Sequence, residues 1–456
     1  MQRTVVVAGG GISGLTACYH LAKDASVPKV ILLEGSSRLG GWMRSTRTED
    51  GAVFEHGPRG IRPGGTVGRN TLCMISELGL EQEILPVPRS HPAAKERYLY
   101  VNKTLHKLPS SIGGVLRTIP PFTRPLFLCG LRDLAAPRGS KEDESIYDFV
   151  SRRFGKELAD IVIDSLCRGV FAGDCRKLSV RSCFPFLYEA EVKRRSVILG
   201  MATGGDKGPP VDSELIRRSK QERWSQWSLQ GGMQTLSEAL EDFLRKRGVE
   251  IHKDTPIRQL ERTADNGWKI KLPDGSITAD YILSALPAKD LGCLLPPDLE
   301  PLVKELRQMS SATVAVVTCN MKGNHLTSPL IMYFSLYDCR LPDCFPFPPT
   351  VMLGGAWFES SIGDPDAVSS EKVLELAKTA AAEQLGVRDK PSRSIVNINK
   401  DCIPQYTLGH WRRTGNISAY TRQLSLPLSL IGASYHGVSV NDCIYNARQA
   451  VHSLLG

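Results

Sequence analysis

No two of the 12 cysteines are spaced C-x-x-C, and none sits with the 9 histidines at zinc-type spacing. That excludes a thioredoxin-like redox pair and a structural zinc centre, and no metal site is expected. The thiols read as reduced, buried or scattered, with no disulfide framework. Cys339 and Cys344 stand close together in a proline-rich stretch and read as incidental. A long apolar run is also missing. The longest charge-free stretch, residues 423–441, is interrupted by Pro427, Gly432 and Gly437, so no transmembrane helix is expected. The first strand begins near Thr4, which leaves no room for a cleaved signal, as an expectation. Aromatic residues make up only 7% of the chain, and no aromatic-plus-basic motif accompanies the net charge of +9, so nucleic acid is not an expected partner. There is no internal repeat. What remains is a chain of 456 residues, 41% hydrophobic, large enough for more than one domain with a sizeable core.

Against that background the N-terminus stands out. Residues 4–8, Thr-Val-Val-Val-Ala, form a β-branched run that feeds Gly9, Gly10, Gly11, Ile12, Ser13 and Gly14. Gly9 allows a tight turn, Gly11 lets the backbone approach a pyrophosphate, and Gly14 lets a helix starting near Ser13 pack close to its strand. The helix N-terminus offers N–H groups and a positive dipole end to phosphate. A second apolar run, residues 29–33, ends in Glu34, placed where a carboxylate accepts hydrogen bonds from a ribose 2′-OH. An acid there favours FAD or NAD over a 2′-phosphorylated cofactor.

Two further runs follow at once. Residues 38–45 read Arg-Leu-Gly-Gly-Trp-Met-Arg-Ser, and residues 54–60 read Phe-Glu-His-Gly-Pro-Arg-Gly. Adjacent glycines present backbone amides with no side chain in front of them, suited to a long extended cofactor. The first run resembles the double-glycine motif of the amine oxidase and protoporphyrinogen oxidase superfamily of FAD enzymes. Trp42 stands where that motif has its second basic residue. At the far end, residues 426–434 read as a strand, residues 435–442 as a glycine turn, and residues 443–455 as a closing helix. Such a unit commonly completes an FAD domain, its helix N-terminus directed at the flavin's pyrimidine edge. Residues 248–280 read as paired strands around Thr255, Pro256 and Ile257, the usual middle section.

Residues 57–63, 165–173, 224–229, 402–410 and 432–438 together resemble the animal protoporphyrinogen oxidases, and the resemblance runs the length of the chain with one gap. It implies an α/β fold: a discontinuous Rossmann-type FAD-binding domain (1–90, 210–290 and 428–456), a helical membrane-binding domain (91–209) and a mixed-sheet substrate domain (291–427). It implies FAD contacts at Gly9, Gly10, Gly11, Ile12, Ser13, Gly14, Glu34, Trp42, Gly57, Pro58, Arg59, Gly60, Ile257, Ala433, Val438, Ser439 and Val440. It further implies three oxidations of protoporphyrinogen IX to protoporphyrin IX, with dioxygen as electron acceptor and hydrogen peroxide as by-product. No dedicated catalytic acid or base is carried over. Arg97 matches the propionate-binding arginine, Leu166 an apolar wall, and Met352 a cavity-lining position, while Arg59 reads as an organiser of the cofactor site. Also implied are the mitochondrial inner membrane on its intermembrane-space side, a peripheral or monotopic attachment, a homodimer, and handover to ferrochelatase.

Residues 102–141 carry Lys103, Lys107, Arg117, Arg124, Arg132, Arg138 and Lys141 against the single acid Asp133, interleaved with apolar residues and broken by Pro120, Pro121 and Pro125. That pattern suits either the surface of an anionic membrane or a solvated, partly buried helical region. The resemblance places it in the helical membrane-binding domain. Residues 327–350 depart from the family: a strand pair that would sandwich the macrocycle is replaced by a shorter, proline-rich segment in which Phe334 and Leu336 are the candidate replacements. Two alternatives therefore stay open, a flavoprotein with an impaired substrate wall and another amine-oxidase-like or desaturase-like flavoenzyme.

Overall fold

Val5, Val6, Val7 and Ala8 are all buried, as a strand with both faces covered requires. The computed structural model describes residues 4–27, 29–95, 97–204, 212–320, 331–332 (backbone only) and 350–456. Thr4–Ala8 lies at the centre of a five-stranded parallel sheet, in the order Leu428–Leu430, Tyr281–Ser284, Thr4–Ala8, Lys29–Leu33, Glu250–His252. The direction of sequence order reverses beside Thr4–Ala8, which makes the carboxyl end of that strand a topological switch point. Val5, Val7 and Leu32 face a layer of helices, Ile12–Ala22, Gln234–Lys246 and Val440–Leu455. Val6, Ala8, Ile31 and Leu33 face the other way, onto the antiparallel strands Gln259–Arg262, Trp268–Leu272 and Gly275–Ala279 and the helices Ala288–Leu294 and Glu300–Arg307. Strand alternation thus divides the apolar residues between two cores.

A second sheet is antiparallel. Ser311–Asn320 runs between Thr350–Gly355 and Arg393–Pro404, with a register shift between Ala312 and Val314. Helix Ser370–Leu385 covers it through Val373 and Ala377. The hairpin Arg97–Val101 and Thr104–Lys107 packs Tyr98, Tyr100 and Leu105 against this same cluster. In space, the hairpin therefore stands with the second sheet. Ile331–Met332 pairs in parallel with Arg97 and Tyr98. The rest of residues 327–349, including Phe334 and Leu336, lies outside the described residues.

The third unit is helical, from Ile112–Leu116 to Val197–Thr203, around Ile146, Phe149, Val150, Cys167, Phe171 and Leu178. Arg153, fully buried, pairs with Asp133 and with Glu191 (2.6 Å to the latter), and donates to the Arg195 carbonyl at 2.6 Å. Ser196 Oγ donates to the second Asp133 oxygen at 2.6 Å. Outside this buried network the helix Phe127–Ala135 turns Leu128, Leu131 and Leu134 outward. Among the described residues no helix is long and apolar enough to cross a membrane.

Candidate functional site

The glycine turn takes the shape its spacing demands. Gly9 has φ +98°, in the region closed to most side chains. A Cβ on Gly14 would lie 1.9 Å from the Gly9 carbonyl oxygen, so helix Ile12–Ala22 can pack where it does only with glycine there. Gly11 differs: the nearest heavy atom to its would-be Cβ is Gly41 Cα at 3.9 Å. Beside Gly11 there is open space, and no side chain caps the first turn of the helix. Its leading N–H groups are the free donors of a helix start, suited to a pyrophosphate.

The double glycine of residues 40–41 closes on that turn. Gly40 donates its N–H to the Gly10 carbonyl at 2.8 Å, and Gly11 bridges Gly40 in parallel. Gly40 and Gly41 have φ +103° and +56°. Arg38 braces the loop from within, donating to the Leu39 and Gly41 carbonyls. Trp42 remains 45% exposed, and its carbonyl oxygen would lie 2.2 Å from a Cβ on Gly57, so residues 38–45 and 54–60 pack backbone to backbone. Beyond Gly60, Ile61 exchanges backbone hydrogen bonds with Trp227 at 2.8 and 2.9 Å, which ties the loop to strand Trp224–Leu229.

Glu34 ends its strand as expected. Its carboxylate accepts from Gly10 N–H at 2.7 Å and from Ser36 N–H and Oγ at 2.8 and 2.7 Å. Thr255 N–H donates to the Glu34 carbonyl at 2.9 Å, bringing residues 255–257 beside it. Between them opens a cavity of about 330 Å³ whose lining includes Leu33, Gly35, Pro256, Ile257, Leu286 and Asp290. Mostly apolar walls, with Thr255 and Asp290 as polar side chains among them, suit a purine ring. The sequence pointed to Ile257. Asp290 it did not single out, because it lies in helix Ala288–Leu294, whose place in space depends on the sheet.

The C-terminal turn arrives from the other side of the switch point. Ile431 N–H donates to the Ser284 carbonyl at 2.9 Å, and Gly432 has φ +106°. The closing helix begins at Val440, three residues before the expected start. Ser439 and Asp442 form a capping box, each side chain taking the other's backbone N–H at 3.2 Å. Ser439 is therefore occupied as a cap. The N–H groups of Val440 and Asn441 precede the first intrahelical bond, from Cys443 to Ser439, and are the donors left at this end.

Glu55 is the unforeseen group of this region. It is buried and accepts from Ser45 Oγ at 2.7 Å and Met233 N–H at 2.6 Å. Burial pushes its carboxyl up from 4.5 to about 7, opposed by those two hydrogen bonds and by the charges of Arg59 and Arg47. The sign follows from linkage. The folded state keeps a proton that the unfolded chain releases, so this stabilisation is full below pH 4.5 and is lost as the pH climbs to about 7. Glu55→Gln should flatten that fall, which for the native carboxyl is on the order of 2–3 kcal/mol. Denaturant unfolding at pH 5 and pH 8 measures it, and equal differences in both proteins would disprove it.

The three expected substrate residues lie on elements that meet. Arg97, half-buried, opens the hairpin strand that lies along the π-helical turn Ala159–Ile163. Leu166 follows that turn in helix Asp164–Phe171, which ends at Ala172 with φ +49°. Ala172 then accepts the Ala356 N–H at 2.7 Å, and a Cβ on Gly355 would lie 2.3 Å from its carbonyl oxygen. That contact anchors the strand carrying Met352. Above Gly57, Asn399 Nδ2 donates to the His56 carbonyl at 2.8 Å, and so the second sheet is fastened to the nucleotide unit.

The family model for flavin-containing amine oxidoreductases matches residues 12–455. Protoporphyrinogen oxidases of Macaca fascicularis and Homo sapiens are each 48% identical to this chain over 472 aligned positions, covering 100% of it and 99% of themselves. In three dimensions the chain superposes with a TM-score of 0.76 and 22% identity on a candidate protoporphyrinogen oxidase from Exiguobacterium sp. 255-15, covering 100% of this chain and 99% of that one. The last of these likenesses bears on the fold alone.

Proposed function

Since the chain belongs to the flavin-containing amine oxidoreductases, and within them to the protoporphyrinogen oxidases, we propose that it binds FAD and oxidises protoporphyrinogen IX to protoporphyrin IX with dioxygen, releasing hydrogen peroxide. The observation that carries this reading is the meeting of the Arg97, Leu166 and Met352 elements, on a sheet fastened to the nucleotide unit at His56. The acid Glu34 after the second strand favours a cofactor without a 2′-phosphate, and the open space at Gly11, continued by the glycines at 40–41, favours FAD among these. When bound, the cofactor supplies hydride acceptance from the saturated bridges of the macrocycle and electron return to dioxygen.

The protein's own part is to bind, orient and exclude water. Arg97 supplies a cation for a propionate, and Leu166 and Met352 supply apolar surface for a flat ring. No side chain is assigned as proton donor or acceptor. Attachment to an anionic bilayer, the mitochondrial inner membrane in this reading, is supported by exposed Ile112 (81%), Leu116, Leu131, Leu134, Phe186 and Met201 on the helical unit. Arg117, Arg124 and Arg132 lie exposed among them.

Anaerobic mixing with protoporphyrinogen tests the reaction. The yellow holoenzyme should bleach, and admission of air should bring porphyrin fluorescence. A yellow protein that never bleaches would leave only a flavin-binding chain, and bleaching by amines alone would assign it elsewhere. In the same assay Arg97→Ala should raise KM by roughly 10- to 100-fold, the worth of a charge-assisted hydrogen bond of about 1.5–3 kcal/mol, with flavin content unchanged. An unaltered KM would remove Arg97 from the propionate.

A further inference from the structure

Turn 432–438 is held from within its own unit by Ala288 and Asn446, and from outside it by Tyr406 and His410. Tyr406 is buried, and its phenol oxygen accepts Gly437 N–H at 2.8 Å while its hydrogen goes to the Ala433 carbonyl. The Tyr406 ring stacks on His410, centroids 4.0 Å apart and planes at 15°. His410 Nε2, 3.0 Å from the Tyr435 carbonyl, must be the donor in that bond, which fixes the Nε2–H tautomer. Burial holds this imidazole down at about 4, so it is neutral at physiological pH. Two stacked rings thus take hold of the backbone at 433, 435 and 437.

Tyr406 is itself held in place by the helical unit. Its carbonyl accepts Ser179 N–H at 2.8 Å, Leu408 N–H donates to the Lys177 carbonyl at 3.1 Å, and Gly409 N–H donates to Asp143 at 3.1 Å. So the end of the second sheet, the helical unit and the nucleotide unit meet at one buried phenol. A role confined to filling the core would need the ring and not the oxygen. Yet that oxygen makes two backbone hydrogen bonds, one of them to Ala433, a residue expected at the cofactor.

We propose that Tyr406, backed by His410, is a positioning residue for the flavin, setting the geometry of turn 432–438 through its hydroxyl. This inference rests on the flavin reading of that turn. Tyr406→Phe keeps the ring and its stack and removes only the oxygen. A control is at hand in Tyr435→Phe, since the Tyr435 hydroxyl is buried in the same turn with no hydrogen-bond partner among the described residues.

The measurement is FAD titration of each apoprotein by quenching of flavin fluorescence, with the visible spectrum of each holoprotein. Tyr406→Phe should raise the dissociation constant about tenfold or more and shift the flavin bands, with the far-ultraviolet dichroism unchanged. Tyr435→Phe should match the wild type. Wild-type affinity and spectrum in Tyr406→Phe would overturn the proposal while leaving the flavin reading intact. A wild-type chain that binds no FAD would overturn both. If Tyr406→Phe does not fold, His410→Gln carries the same readout with the Tyr406 residue retained, and an unchanged spectrum there overturns the proposal equally.

Discussion

Arg153→Met should loosen the helical unit by about 3–5 kcal/mol, because it strands the buried Asp133 carboxylate without its cation. Asp133 and Arg153 are both fully buried, and Asp133 lies on the helix whose outer face carries Leu128, Leu131 and Leu134. Burial alone would raise the Asp133 carboxyl. Hydrogen bonds from Ser196, Ile198 N–H and Arg153 outweigh that and hold it below the usual range. The stabilisation is therefore present at neutral pH and fades in acid, as the pH falls through the lowered value.

With Arg153 gone, Arg152 still pairs with Glu191 at 2.8 Å, but nothing replaces the charge at Asp133. The double variant Asp133→Leu with Arg153→Met should recover much of the loss, since a buried ion pair replaced by apolar residues is often near neutral. Urea unfolding followed by tryptophan fluorescence and limited proteolysis would show it. On the proposed bilayer attachment, co-sedimentation with anionic vesicles should weaken in the single variant, whose apolar helix is no longer pinned. A single variant as stable as the wild type would mean that the network contributes nothing.

The dinucleotide turn could be read in the sequence because every one of its requirements is local. Gly9 is dictated by its own φ of +98°, Gly14 by the Gly9 carbonyl five positions before it, and Glu34 by the end of an adjacent parallel strand. The closing helix is legible too, although apolar spacing alone starts it at Cys443. The capping box of Ser439 and Asp442 was the signal for its true start at Val440. Contacts across the fold were another matter. Glu55 receives its donor from Met233, 178 positions on, and reads from sequence as an ordinary acid in a loop. Tyr406 and Gly437 are 31 positions apart in different units, and no periodicity links them. The hairpin of Arg97 follows the same logic: Tyr98, Tyr100 and Leu105 alternate as any half-buried strand would, and only packing shows that their partner is the second sheet.

Gly11→Ala should abolish flavin binding while leaving the apoprotein folded, and Gly14→Ala should damage both. The difference lies in what each added methyl would meet. At Gly14 it would lie 1.9 Å from the Gly9 carbonyl oxygen, a backbone atom that cannot move aside without parting helix Ile12–Ala22 from strand Thr4–Ala8. At Gly11 the nearest atom among the described residues, its chain neighbours aside, is Gly41 Cα at 3.9 Å, so the methyl is harmless to the chain and occupies the space of the pyrophosphate. Gly10→Ala is intermediate. Its methyl would meet the Leu39 Cδ2 at 2.4 Å, the far end of a flexible side chain. Ligand linkage turns this ranking into numbers. FAD at 100 times its dissociation constant should stabilise the wild-type apoprotein by about 2.7 kcal/mol. Gly11→Ala should show the wild-type melting temperature without FAD and no rise with it, and Gly14→Ala a lowered one in both conditions. A yellow Gly11→Ala protein with the full ligand-induced rise would place the cofactor somewhere other than this turn, and the assignment of Gly9, Gly11, Gly41 and Glu34 to it would fall.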